Sequence, residues 1–404
     1  MAAISAALGQ SGNTGLDSLP FRLLVIVPPL SQSASRSSRS ARLRRPCLAS
    51  HAGTAISRRM LVTLVDDSIP FNGMTPAYQP IGGAEKAFAS LPAALARQGH
   101  VVRAVNRSPN SLSFENVSWI HWDGRKPPIT EVLIAFRKPA LLEFTRAVKA
   151  RILWVAGPPD YLHRPQVNEV LKRTDAKLVF LGNTHSEAYR SQGEDLVYYR
   201  SIAPGVREEY RNNDEMSPED PPTAVVTTHP KHDLAWLLEL WIERIRPQAP
   251  NAQLQVYSAG FKRAETAGDT LAEDLQPIYE KARAGAEHGV TIMAPGGDRD
   301  MAKAYGRARV HLYPGSEREM YCSTLAESQA VGLPAVARPV GSVKERFTDR
   351  QSGFLAPDDD AFVENALAML TDDDAFQAAS KTARRSGRSR SWDTAATEFE
   401  TLFR

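Results

Sequence analysis

From residue 60 onward, short runs of Val, Ile and Leu alternate with longer stretches whose apolar residues recur every three or four positions. Runs of four or five such residues bounded by turn formers predict buried strands, and the three-to-four period predicts helices packed over them. Strand then helix, repeated, is the pattern of βαβ units and of a parallel sheet, so the fold class is α/β. In the first half the expected strands are 60–64, 101–105, 132–136, 152–155, 178–181 and 198–202, with helices at 83–97, 140–149 and 186–191. A second series follows, with strands at 224–228, 253–257, 290–293, 310–313 and 334–337 and helices at 234–245, 271–286, 300–307 and 325–331. The tail reads as helices near 362–370, 375–385 and 392–403. Between the two series lies NNDEMSPEDPP, residues 212–222, polar and Pro-bearing as a linker is. Two Rossmann-like domains in tandem result, 60–216 and 217–390, which is also what 404 residues imply at roughly 150 per domain.

Residues 1–59 interrupt this picture. They are rich in Ser, Ala and Arg, carry eight arginines against the single acid Asp17, and show no apolar period beyond the short run at 21–30. Such a segment cannot build a core. A start assigned too early, an organellar transit peptide and a flexible basic arm are the competing explanations, and the first is favoured because Met60 opens a clean strand. The leader also accounts for the net charge of +3, since without it 41 basic and 45 acidic residues remain. A mildly acidic body argues against nucleic-acid binding. No apolar run approaches the ~18 residues of a membrane span, and Cys47 with Cys322 form neither a CxxC pair nor a zinc cluster, so a reducing cytoplasm fits.

The candidate chemistry lies in PGSEREMYCSTLAESQAVGL, residues 314–333, between two expected strands. Glu319 and Glu327 flank the start of a helix there, with seven residues between them. Free amides near Tyr321, Cys322 and Ser323 at a helix N-terminus can hold a diphosphate. A carboxylate on either side can accept paired hydrogen bonds from vicinal hydroxyls. From the pair alone, two solvated acids on a helix is the better account; the surrounding motifs change that.

Those motifs resemble the retaining glycosyltransferases of family 4, with their E-x7-E element followed by a small-residue helix and G-x-P-V: Glu319, Glu327, Gly332 and Pro334 stand in those places, with Ala335 where Val is usual. Gly341 and Glu345, then Gly353 to Leu355, resemble the elements downstream. Gly82, Gly83, Ala84 and Glu85, with Gly99 and His100, resemble the N-terminal GGAE and GH pattern, and Pro204 to Val206 the turn closing the first lobe. The resemblance implies a GT-B fold, two Rossmann-like domains facing a cleft, with residues 391–404, including Trp392, packing back on the first. It also implies transfer, with retention and without a metal or other cofactor, of a sugar from a nucleotide-diphosphate donor to a saccharide, lipid or other hydroxyl acceptor, as in polysaccharide or glycolipid synthesis. Association with a membrane surface is compatible with such acceptors.

By the same resemblance Glu319 meets the transferred sugar and Lys231 the diphosphate, as catalytic residues. Glu327 meets the ribose, and Met320, Tyr321, Cys322, Ser323, Thr324, Gly82 and Gly83 line the substrate site. Two departures stand out. Cys322 replaces a common Gly, which is expected to narrow the pocket, and Thr227, Thr228 and His229 stand where an Arg is frequent, with Lys262 or Arg263 as candidate replacements. Asp298 and Asp300 form a DxD, but Asp298 reads as a helix cap, and the acidic triplets at 358–360 and 372–374 read as helix starts. His163 and His185 are expected to be structural. Two other classes remain on the same architecture: a nucleotide-sugar epimerase, and a non-catalytic nucleotide-sugar binder.

Overall fold

The computed structural model describes residues 58–193, 197–213 and 216–404. The leader expected at 1–59 lies outside these residues, apart from its last two. The chain first forms β1 (Leu61–Val65), α1 (Thr75–Tyr78), α2 (Gly83–Arg97), β2 (Val101–Asn106), β3 (Leu112–Phe114), β4 (Val117–His121), β5 (Val132–Phe136), β6 (Ala150–Trp154), α3 (Pro165–Arg173), β7 (Ala176–Phe180), α4 (Asn183–Arg190), β8 (Tyr199–Ser201) and α5 (Glu208–Arg211). These strands make one eight-stranded sheet in the order β3-β4-β2-β1-β5-β6-β7-β8, parallel except for β3. Its central strands read as unbroken apolar runs because helices or loops cover both faces: all five residues of β5 are buried.

The second sheet is built from β9 (Thr223–Val226), α6 (Leu234–Leu240), β10 (Gln253–Tyr257), α7 (Ala259–Ala267), α8 (Gln276–Ala284), β11 (Val290–Met293), α9 (Asp298–Arg307), β12 (Val310–Tyr313), α10 (Ser323–Val331), β13 (Ala335–Ala337) and β14 (Gly353–Leu355). Its order, β11-β10-β9-β12-β13-β14, is parallel throughout. The chain ends in α11 (Asp359–Thr371), α12 (Asp373–Gly387) and α13 (Trp392–Glu400). Asp358 and Asp372 cap α11 and α12, accepting from the Ala361 and Ala375 amides. The fold class is thus α/β with two Rossmann-like sheets. The last helix leaves the second sheet and lies on α2, where Trp392 and Phe399 pack around Trp154, the Phe399 ring 5.1 Å from it. Gly205 permits this: a Cβ there would collide with the Trp392 backbone.

Three expected elements change. The helix at 140–149 is a 3₁₀ turn, Pro139–Glu143, after which the chain runs extended: Ala147 bridges Ile129, and the Lys149 amide donates to Glu131. Pairing between the segments that lead into β5 and β6 has taken the amides that the helix needed. The helix expected at 271–286 begins at Gln276, because Pro277 lacks an N–H and is tolerated only in a first turn. The helix at 234–245 opens into π-type bonding over Trp241–Ile245. Strands β3, β4 and β14 and helices α3, α5 and α7 were not expected as such.

Candidate functional site

In each sheet the strand order reverses beside the first strand, between β1 and β5 and between β9 and β12. Crevices at such points, beyond the carboxyl ends of the strands, are where open α/β sheets bind ligands. β12 delivers the loop carrying Glu319, and α10 starts at Ser323. Across from it α2 starts at Gly83, so close that a Cβ on Gly83 would overlap the Ser323 hydroxyl. The N-terminal turns of a first-lobe and a second-lobe helix therefore meet, and their dipoles direct positive potential at one place.

Glu319 is fixed at its backbone: its carbonyl accepts from the Ser342 amide at 3.1 Å, beside Gly341, whose φ of 53° and want of a side chain allow the approach. One carboxylate oxygen takes the Tyr313 hydroxyl at 2.5 Å. The other has no hydrogen-bond partner; His232 Nδ1 stands 4.0 Å away and the weakly donating Cys322 thiol is nearby. Burial raises the Glu319 pKa, against the lowering by Tyr313 and Cys322.

Glu327, in the second turn of α10, has the opposite surroundings. The Lys86 ammonium, from α2, bonds its two oxygens at 3.0 and 3.1 Å. The same ammonium pairs with Asp298 at 2.6 Å and bonds the Tyr210 hydroxyl at 3.1 Å. Asp298, wholly buried, also accepts from Tyr210 at 2.7 Å and pairs with Arg207 at 2.8 Å. Two cations and two carboxylates thus pair in a buried cluster joining both lobes, with Glu209 meeting Arg207 at 3.2 Å on its rim, as burial of charge requires. Desolvation pushes Glu327 up to about 7, although Lys86 draws it down, and the two carboxylates keep Lys86 above its usual value despite its own burial.

Several expectations need correction. Asp298 is not a cap: Gly297 holds that position, and the Asp298 carboxylate serves Lys86, Arg207 and Tyr210. Cys322 does not narrow the cleft. It adopts the left-handed conformation (φ 57°, ψ 57°) that explains a glycine preference, and its buried thiol turns into the small core to meet Ser342 Oγ at 3.2 Å. Lys231, expected at the diphosphate, pairs with Asp274 at the surface, and its neighbour His232 stands 4.0 Å from the Glu319 carboxylate. The turn is tight, with the His232 amide donating to the His229 carbonyl and Asp233 left-handed, so successive side chains leave on different sides. Lys262 and Arg263 pair with Glu265 and Asp269.

The other expected residues do gather at the cleft. Met320 and Tyr321 pack on the first-lobe core, the Tyr321 hydroxyl donating to the Pro204 carbonyl at 2.9 Å. Ser323 and Thr324 form the first turn of α10, and Gly82 and Gly83 that of α2. Glu345 also crosses the cleft, accepting from the Asn183 and Thr184 amides at 3.2 and 2.6 Å and so capping α4. His185 is structural: buried between the Leu181 amide and the Gly157 carbonyl, its pKa falls to about 4. His163 stacks on Tyr189. Lys86, Arg207, Tyr210 and His232 were missed. For Lys86 the signal was a lysine at the head of a helix whose next nine residues carry no charge, and all nine are buried.

Residues 223–372, within the second lobe, match the family model described as Glycosyl transferases group 1. No curated protein matches the chain. Among solved structures, sucrose-phosphate synthase from Thermosynechococcus elongatus is similar with a TM-score of 0.65 at 14% identity, over 85% of this chain and 98% of that one. A glycosyltransferase from Rickettsia africae gives 0.63 at 12%, over 86% and 98%. HepE from Anabaena, solved with UDP and glucose, gives 0.58 at 13%, over 85% and 99%. The fold is GT-B.

Proposed function

We propose that the chain transfers a sugar from a nucleoside-diphosphate donor to a hydroxyl of a saccharide or lipid-linked acceptor, with retention and without a metal. The observation that carries this reading is Glu319: a largely buried carboxylate with one unpartnered oxygen, at the edge of a cleft where two helix N-termini converge. A buried acceptor left open in this way is complete only when a hydroxyl donor arrives. The UDP and glucose held by HepE and the UDP and GlcNAc held by the pneumococcal O-GlcNAc transferase GtfA are ligands of that chemistry.

The diphosphate lies between the first turns of α2 and α10, where preorganised amides offset the charge that builds on the leaving group. His232 stands at the sugar, and Lys231 exchanges Asp274 for the phosphates when the donor is bound. Metal independence accords with Asp298 of the DxD already being engaged by two cations and a tyrosine. No helix among the described residues is long and apolar enough to cross a membrane. We assign the protein to the cytoplasm, where donors are made and the buried Cys322 thiol stays reduced.

A thermal-shift panel of UDP-, GDP- and ADP-sugars is the first test, because a ligand bound only by the native state raises the melting temperature. The stabilising donor is then incubated with saccharide and lipid acceptors, and the anomeric configuration of the product is read by NMR. Retention is expected. An isomerised donor formed without acceptor would make the protein an epimerase, and binding without transfer a non-catalytic binder.

A further inference from the structure

We infer that Lys86 is a positioning residue for donor recognition: reaching across from the first lobe, it holds the Glu327 carboxylate in place as the acceptor for the donor's ribose hydroxyls. The inference rests on the nucleotide-sugar reading of the cleft and adds to it a residue that neither the motif resemblance nor the similar proteins assign.

The geometry is that of an orienting contact. The ammonium sits astride the carboxylate, 3.0 and 3.1 Å from its oxygens, and so fixes the plane of the group. Each oxygen has two lone pairs and gives one to Lys86. The others are free for a vicinal diol, and the Glu327 side chain is 9% exposed, at a shallow cavity lined by Gly83, Lys86, Pro204, Tyr321 and Ser323. Lys86 is held in turn: Asp298 at 2.6 Å and the Tyr210 hydroxyl at 3.1 Å take the rest of its hydrogen-bonding capacity. Arg207, against Asp298, is anchored by the Ser90 hydroxyl, and Ser90 donates to the Lys86 carbonyl. A ribose carboxylate in the second lobe thus takes its orientation from the first.

Charge supplies the second half of the argument. The titratable groups around Glu327 are Lys86 from α2, Asp298 and Tyr305 from α9, Tyr210 and Arg207 at α5, and Tyr321 before α10. α12, packed on the other side of α10, brings Arg384 and Arg388, whose guanidinium groups bond the Asn213 and Ala330 carbonyls. Lys86 alone among these is a cation bonded to Glu327. Burial and Asp298 both push the carboxyl toward its neutral form, and Lys86 is the main opposing influence. A neutral carboxyl loses the charge that strengthens hydrogen bonds from hydroxyls.

The test is calorimetric titration of the full chain with UDP, and in parallel GDP and ADP, from pH 6 to 9. These probes carry ribose and diphosphate but no transferred sugar, which separates Glu327 from Glu319. For the wild type, affinity should hold above about pH 7 and fall below it. Lys86→Met should weaken binding on the order of tenfold at pH 7.5 and move the fall to higher pH, and Lys86→Arg should restore both. Should Lys86→Met not fold, Lys86→Gln, which keeps a donor without charge, is titrated in its place with the same expectation. Wild-type affinity and pH profile in the neutral variant would overturn the inference while leaving the site reading intact. So would weaker binding with an unmoved pH profile that Arg fails to restore, the mark of a purely structural role. A wild type that binds none of the three nucleotides overturns both.

Discussion

Glu319 and Glu327 belong to one short stretch of chain and to two different physical regimes. Glu319 sits in a loop, takes one hydroxyl, and keeps its other oxygen buried without a hydrogen-bond partner. Glu327 sits in a helix, both oxygens bonded to a lysine from the other lobe, within a four-charge cluster. An unpartnered buried acceptor is costly to leave unmade and is satisfied by a ligand; one bonded on each oxygen is already held by the fold. The same motif therefore supplies one carboxylate with an unpaired oxygen and one that ties the lobes together. Glu345, which caps a first-lobe helix from the second lobe, belongs with the latter.

The comparison breaks most visibly at Asp298. Asp298→Ala removes the buried carboxylate that Lys86 and Arg207 share, leaving each a single partner, Glu327 and Glu209, and chemical denaturation should show a loss of about 3–5 kcal/mol. An effect below 1 kcal/mol would mean that the cluster does not join the lobes energetically. At the open carboxylate the prediction is reversed, with function lost and fold kept. Glu319→Ala should lower kcat on the order of a hundredfold to a thousandfold, with the circular dichroism spectrum and melting temperature near those of the wild type. Turnover within twofold of the wild type would remove Glu319 from the reaction.

A third prediction concerns pH. The folded-state pKa of Glu327 is raised, so the native state binds its proton more tightly than the unfolded chain does. The contribution of Glu327 is then most favourable below the unfolded value of 4.5 and declines as pH rises toward about 7, above which it is flat. The stability of wild type minus Glu327→Gln should accordingly fall, by on the order of 3 kcal/mol, across that window. A difference that rises with pH would show that Lys86 outweighs desolvation. The smallest expected effect sharpens the view of the second interlobe contact: Glu345→Ala removes a helix cap and should cost about 1 kcal/mol in urea denaturation. No measurable change would assign that contact to the surface.

How much of this was legible beforehand varies with the range of the interaction. Strands β5 and β12 fall on their expected residues because a central parallel strand must be apolar on both faces, and β10 and β11 because buried positions alternate with more exposed ones along them. The helix expected at 140–149 failed because Ala147 and Lys149 extend the β5–β6 pairing, meeting residues 129 and 131 in a way that no local pattern records. Lys231 was chosen for its charge and its place after β9, yet the turn directs His232 to Glu319 and Lys231 to Asp274.

By itself the sequence determined the alternation of elements, the two sheets, and the stretch in which two acids flank a helix start. All of these are set by residues near one another in the chain, through side-chain period, β-branching and turn chemistry. Only the tertiary structure decided what the acids meet, since Lys86 and Glu327 are 241 positions apart. Whether a buried carboxylate is open or saturated depends on which distant group the packing brings within 3 Å, and burial and Coulomb forces act through space without regard to chain order.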